Sequence, residues 1–182
     1  MSDYINMDFN ENKALNAVLY IANKLKRKDF HKIFKILYFA DKEHFSAYSR
    51  PITGDNYIAM QDGPVPSKLY DIFKSVRGNG YFKDNGKFSQ YFTVVDWDII
   101  VPQKEPSMNF LSLTDVKYID KVIDRYGEMT WDEVREKSHD YAWRNTVLNK
   151  EITFENILLE AGENDSYINY VKEQNSLKSL FQ

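Results

Sequence analysis

The chain has 182 residues, 43% of them apolar and 15% aromatic, with a formal net charge of −3 and no cysteine. That is material for one sizeable core rather than two, and the missing cysteines exclude disulfides and thiolate metal sites. A near-neutral charge argues against a general nucleic-acid binder, and no apolar run approaches the roughly twenty residues of a membrane span.

The N-terminal stretch lacks the apolar core of a signal sequence, so a cytoplasmic protein is expected. The first helix is legible in NENKALNAVLYIANKLKRK, where Asn10 can cap and Ala14, Leu15, Val18, Leu19, Ala22 and Leu25 recur at helical spacing. The basic cluster KLKRKDFHK at its end reads as a solvated helix terminus. A second helix follows a cap at Asp29 and runs to Arg50-Pro51. Its apolar stripe, Phe30, Ile33, Phe34, Leu37, Phe45 and Tyr48, also carries Asp41 and His44, three residues apart on one face.

Next come a turn at Gly54-Asp55, a short strand around Tyr57, and a stiff corner at Gln61-Asp62-Gly63-Pro64, where Pro64 and Pro66 fix the backbone. Pro66 suits the first position of a third helix that ends at Gly78. The segment YFKDNGKFSQYFTVV places Asn85-Gly86 between aromatic and β-branched residues, which predicts a hairpin across Tyr81 to Val95. A further short strand is expected at Ile99 to Val101. Helices then resume: one opened by Ser112 or Thr114 and closed by Gly127, one with Thr130 and Glu133 at capping-box spacing, one capped by Thr153 and ended by Gly162, and a final amphipathic stretch from Tyr167 to Phe181. The pattern predicts an α+β fold, mostly helical, with six or seven helices around one small antiparallel sheet. It places a domain over residues 1–150 and a C-terminal helical extension over 151–182.

A carboxylate on a core face must be answered by a partner. For Asp41 the candidates are His44, a tyrosine hydroxyl, a backbone N–H in the Gly54-Asp55 turn, Arg50 and His139. The cluster reads as a structural network fixing how helices meet, or as a ligand, metal or reaction site. Signatures of phosphate loops, dinucleotide folds, serine elbows and zinc helices are all missing. A small metal-dependent hydrolase using Asp41, His44 and His139 is the enzymatic alternative.

The segment KILYFADKEHFSAYSRPITGDNYIAMQDGPVPSKLYDIFK, residues 35–74, closely resembles the Panacea domain of SocA-like antitoxins. Similarity continues through LSLTDVKYIDKVIDRYGEMTWDEVREKSHDYAW, and the two together span about residues 13–150. The resemblance falls on Asp41, His44, Gly54, Asp55, Tyr57, Gly63, Pro64, Val65, Leu69, Tyr70, Ser138, His139 and Trp143. It implies a non-enzymatic antitoxin of a prophage or plasmid toxin-antitoxin pair that neutralises a cognate protein toxin by direct contact, with delivery to an AAA+ protease as a further mode. No cofactor, nucleic acid or membrane partner is expected, and a homo-oligomer is left open. Because partners in such a family are diverse, the shared block reads as scaffold. The toxin interface is then expected on the aromatic hairpin, at Tyr81, Phe82, Phe88, Tyr91, Phe92 and Trp97, with the tail stripe Ile168, Val171, Leu177 and Leu180 as second candidate.

Overall fold

A computed structural model describes residues 8–179. The fold is α+β and mostly helical. In chain order it comprises α1 (Glu11–Lys24), α2 (Phe30–Tyr48), β1 (Tyr57–Met60), β2 (Gly63–Pro66), α3 (Ser67–Arg77), β3 (Phe92–Val95), β4 (Ile99–Pro102), a 3-10 turn (Met108–Phe110), α4 (Leu113–Tyr126), α5 (Trp131–Ser138), α6 (Tyr141–Arg144), α7 (Phe154–Glu160) and α8 (Asp165–Ser179).

Local capping chemistry sets the helix starts. Asn10, Asp29 and Thr153 each accept a backbone N–H from the first turn, and Ser112 and Thr130 form full capping boxes with Asp115 and Glu133. Helix α2 stops at Tyr48, just before the expected proline, because Ser49 takes a left-handed conformation. It is the central element: residues 31–41 are all buried, and α1, α4, α5, α7 and β2 pack around it. Through residue 41, enclosure on every side replaces the one-faced stripe that the apolar spacing of α2 suggests, while residues 42–48 keep an outer face.

Two separate two-stranded antiparallel sheets stand where one was expected. In the first, β1 pairs with β2 in the register Tyr57↔Pro66 to Met60↔Gly63, so the stiff corner is itself a hairpin. Prolines discourage reading β2 as a strand, since they donate nothing to a ladder. Its second edge partner is late in the chain. The Asn149 N–H donates to the Ala59 carbonyl (2.7 Å), Ala59 N–H to Lys150 (2.9 Å) and Ile152 N–H to Tyr57 (2.8 Å), and Ile58 bridges Glu151.

The second sheet corrects the hairpin expected at Asn85-Gly86. The turn lies instead at Asp96-Trp97-Asp98, between β3 and β4. The Asp84 carboxylate accepts from the Phe88 and Ser89 N–H groups (2.8 and 2.9 Å), which draws residues 87–91 into turns in place of a strand. Phe88 and Phe92 are thereby drawn into the core, at 5% and 2% exposure. Neither is a surface anchor.

In the tail, Ile168 and Val171 pack with Phe45 and Leu158 in a small second cluster, while Leu177 is exposed. Leu180 and Phe181 lie outside the described residues.

Candidate functional site

Helix α2 carries the polar groups that organise the shared block, and each is met from a different direction. Asp41 is fully enclosed. Its Oδ1 accepts from the backbone N–H groups of Ile52 (2.6 Å) and Thr53 (3.0 Å), and its Oδ2 accepts from the hydroxyls of Thr53 (2.7 Å) and Tyr57 (2.7 Å). Burial pushes its pKa up while these four donors pull against it. Of the partners expected for Asp41, the tyrosine hydroxyl is found, on Tyr57; the backbone N–H groups are those of Ile52 and Thr53, just before the Gly54-Asp55 turn rather than in it.

That turn is a close approach. Gly54 has φ of 70°, and a Cβ there would lie 2.3 Å from the Asp8 carbonyl oxygen. Asp55 then reaches forward: its two carboxylate oxygens accept from Lys68 N–H (3.0 Å) and Leu69 N–H (2.9 Å). It caps α3 from a distance, supplying what Pro66 cannot, since Pro66 occupies the cap position without a side-chain hydrogen bond. Burial first, and the nearby Asp41 charge, raise the Asp55 pKa to about 6.

His44 belongs to another knot. Its Nδ1–H donates to the Arg50 carbonyl (2.8 Å), which leaves Nε2 to accept from the Thr114 hydroxyl (3.0 Å). Asp115 lies 3.3 Å from Nε2, but Lys13 (2.8 Å) and Arg50 (3.1 Å) already answer its charge. Burial lowers the His44 pKa, and these contacts tie α1, α2 and α4 together.

His139 lies elsewhere again, as the C-cap of α5, with its ring stacked on Trp143 at 3.8 Å between centroids and 8° between planes. Trp143 Nε1–H donates to the Met60 carbonyl (2.8 Å), pinning α6 to β1. Trp143→Phe keeps the ring and removes the donor, so an equilibrium urea titration is expected to read a loss of about 1 kcal/mol. A loss near zero would assign the Trp143 contribution to stacking alone.

Asp41, His44 and His139 are thus not brought together. Among the described residues no group of three His, Asp or Glu side chains is placed to hold a metal ion, so the ligand set of the hydrolase alternative is not assembled.

Two lysines were hidden from the sequence. Lys32 Nζ reaches across to the Tyr126 carbonyl (3.0 Å) and to that of Met129, closing the end of α4. Lys35 is fully buried and donates to the Pro64 carbonyl (2.8 Å), with burial lowering its pKa to about 7. Gly63, at φ 95°, lies over it: a Cβ there would sit 2.3 Å from Ser138 Oγ and 3.0 Å from Lys35 Cε. One turn before Lys35, His31 stacks on Trp131 and donates through Nε2 to the Asp62 carbonyl (3.2 Å), and burial lowers its pKa to about 4. The only sequence signal for Lys35 is its place in a run where every neighbour is apolar or aromatic.

The aromatics expected at the interface divide. Tyr81 (88%), Trp97 (66%) and Phe82 (43%) are exposed, Tyr91 is half-buried under Lys104, and Phe88 and Phe92 are core. Trp97 and its neighbour Asp96 both have positive φ, 72° and 48°, a region bulky residues avoid. Arg77 holds Trp97 there, with its guanidinium 4.0 Å from the ring centroid and a hydrogen bond to the Trp97 carbonyl (3.1 Å).

No helix among the described residues is long and apolar enough to cross a membrane. No curated protein and no solved structure gives a significant match to the chain. The family model described as antitoxin SocA-like, Panacea domain, matches residues 33–144, which takes in most of α2, both sheets, α3 to α6 and the polar groups at Asp41, His44, Asp55, Asp115 and His139. With more than half of its length under that model, this chain belongs to the SocA-like antitoxin family of Panacea-domain proteins.

Proposed function

We propose that this protein is a cytoplasmic antitoxin that silences a cognate protein toxin by direct contact through the surface formed by Tyr81, Phe82 and Trp97. The observation that carries this reading is Trp97 itself: a large aromatic side chain turned to solvent, in a backbone conformation of high energy, and braced by Arg77. A braced ring loses little freedom on binding, and buried tryptophans dominate interface energetics. The polar residues of the shared block support the same reading, since Asp41, His44, Asp55 and Trp143 all hold the fold together.

Charge adds a preference. Lys74 lies over the Tyr81 ring and Arg77 over the Trp97 ring, so the complementary toxin surface carries acidic groups beside an apolar centre.

The test is co-purification and growth rescue with the product of the adjacent reading frame. Trp97→Asp is expected to weaken toxin capture about 100-fold, equivalent to about 2.7 kcal/mol, and to abolish rescue, while the melting temperature stays within a few degrees of the parent. Rescue equal to the parent would rule this surface out and direct the search to α8. Toxin abundance on co-expression separates the two modes: it falls if the antitoxin hands its partner to an AAA+ protease and holds if it blocks it.

A further inference from the structure

Between the C-terminal half of α2 and the segment 150–157 lies a cavity of about 530 Å³. That volume is in the range of small-molecule sites, about 300–1,000 Å³. The rings of Tyr38, Phe45, Tyr57 and Phe154 form much of its wall, and Asp41 and Asp55 both line it.

The charges around this space do not balance. Asp41 receives four hydrogen-bond donors, the pattern of an ionised carboxylate, yet neither it nor Asp55 has a cationic side chain as an ion-pair partner among the described residues. Lys42, which also lines the cavity, is committed to Asp140 (2.9 Å) and Glu160 (3.3 Å). Lys150 is exposed and is offset by the neighbouring Glu151. Carboxylates this deeply buried and without a cation set up a negative potential when ionised, because little water reaches them to screen it. Aromatic faces add to it, since their quadrupoles present negative charge. An anion would be repelled, and a neutral apolar molecule would leave the remaining lone pairs of Asp55 without a donor.

We propose that this cavity binds a small organic cation, a primary amine or guanidinium on a short body, with its charged head at Asp55 and its body against the aromatic walls. Asp55 is the receiving group because Asp41 already accepts four hydrogen bonds, whereas Asp55 accepts one backbone N–H on each oxygen and keeps lone pairs for another donor. The site is independent of the toxin surface. Phe154 and Ile157 come from the chain beyond the matched domain, so the matched domain and the extension together enclose it.

The experiment titrates the isotope-labelled full chain with agmatine, and in parallel with the uncharged 1,5-pentanediol, following backbone amide resonances. Saturable shifts centred on Asp55, Ile152 and Phe154 are expected with agmatine and not with the diol. Asp55→Asn, which keeps one acceptor for α3, is expected to weaken agmatine about ten-fold or more. Should that variant fail to fold, Ile157→Trp fills the space from α7 and is expected to remove saturation altogether. Equal response to the diol, shifts spread over the exposed acids, no saturation, or an unchanged affinity in the folded variant would each overturn the assignment.

Discussion

Asp41→Ala is expected to destabilise the protein by about 4 kcal/mol, enough to leave much of it unfolded at growth temperature. The substitution removes one side chain and strands four donors: the N–H groups of Ile52 and Thr53 and the hydroxyls of Thr53 and Tyr57, all on buried residues. Each buried donor left without a partner costs about 1–3 kcal/mol, moderated by whatever water enters the gap. Asp41→Asn is expected to do less harm, about 1–2 kcal/mol, because its oxygen still serves the two amides and the hydroxyls can turn to accept. Urea denaturation of the three proteins checks the order. If alanine and asparagine prove equally mild, the carboxylate does not organise the 52–57 segment.

The second large effect is a pH dependence centred on Lys35. Its amine has a pKa of about 7 in the folded protein against 10.5 for the free side chain, so the folded state gives up a proton that the unfolded chain keeps. For a depressed pKa the sign is fixed: the stability contribution is fully present above 10.5 and is lost as pH falls through 7. Between pH 7 and 9 the parent is therefore expected to gain about 2 kcal/mol, at about 1.4 kcal/mol per pH unit. His31 has the same sign in a lower window, from 6.5 down to about 4, and Asp55 has the opposite sign, losing stability as pH rises from 3.8 through about 6. Neither reaches above pH 7. Lys35→Met is one atom shorter and carries no charge, leaves the Pro64 carbonyl without its donor, and should flatten the profile between pH 7 and 9. Unfolding curves at pH 7, 8 and 9 decide the matter: parallel slopes in parent and variant would locate the proton release elsewhere.

What the sequence made legible was local. Asn10, Asp29, Ser112, Thr130 and Thr153 cap helices through contacts three residues away, and such contacts are readable from spacing alone. Asp41 was conspicuous for the same reason, as a carboxylate in an apolar stripe. Its partners were less so, because Thr53 lies twelve residues on and the Tyr57 hydroxyl meets it only once the chain has turned at Gly54. The Asn85-Gly86 signal misled because the neighbouring Asp84 carboxylate took two amides that a strand would have needed. Lys32 and Lys35 escaped notice because lysine is ordinarily a surface residue, and only a helix packed from all sides forces its ammonium groups onto carbonyls of distant elements.

The strand pairing that closes β1 also fixes an order of events. Ile58 waits for Glu151, so through most of synthesis the outer edge of β1 has no partner, although β2 can pair with its other side at once. Loop closure over so long a separation is slow compared with forming a two-residue hairpin. An open strand edge in that interval is a template for pairing with another nascent chain. The prolines of β2 blunt one side of the small sheet, and the 149–152 segment must arrive to blunt the other. The yield of folded protein is then expected to fall when the 149–152 segment is removed or delayed, since that segment closes the open edge of β1.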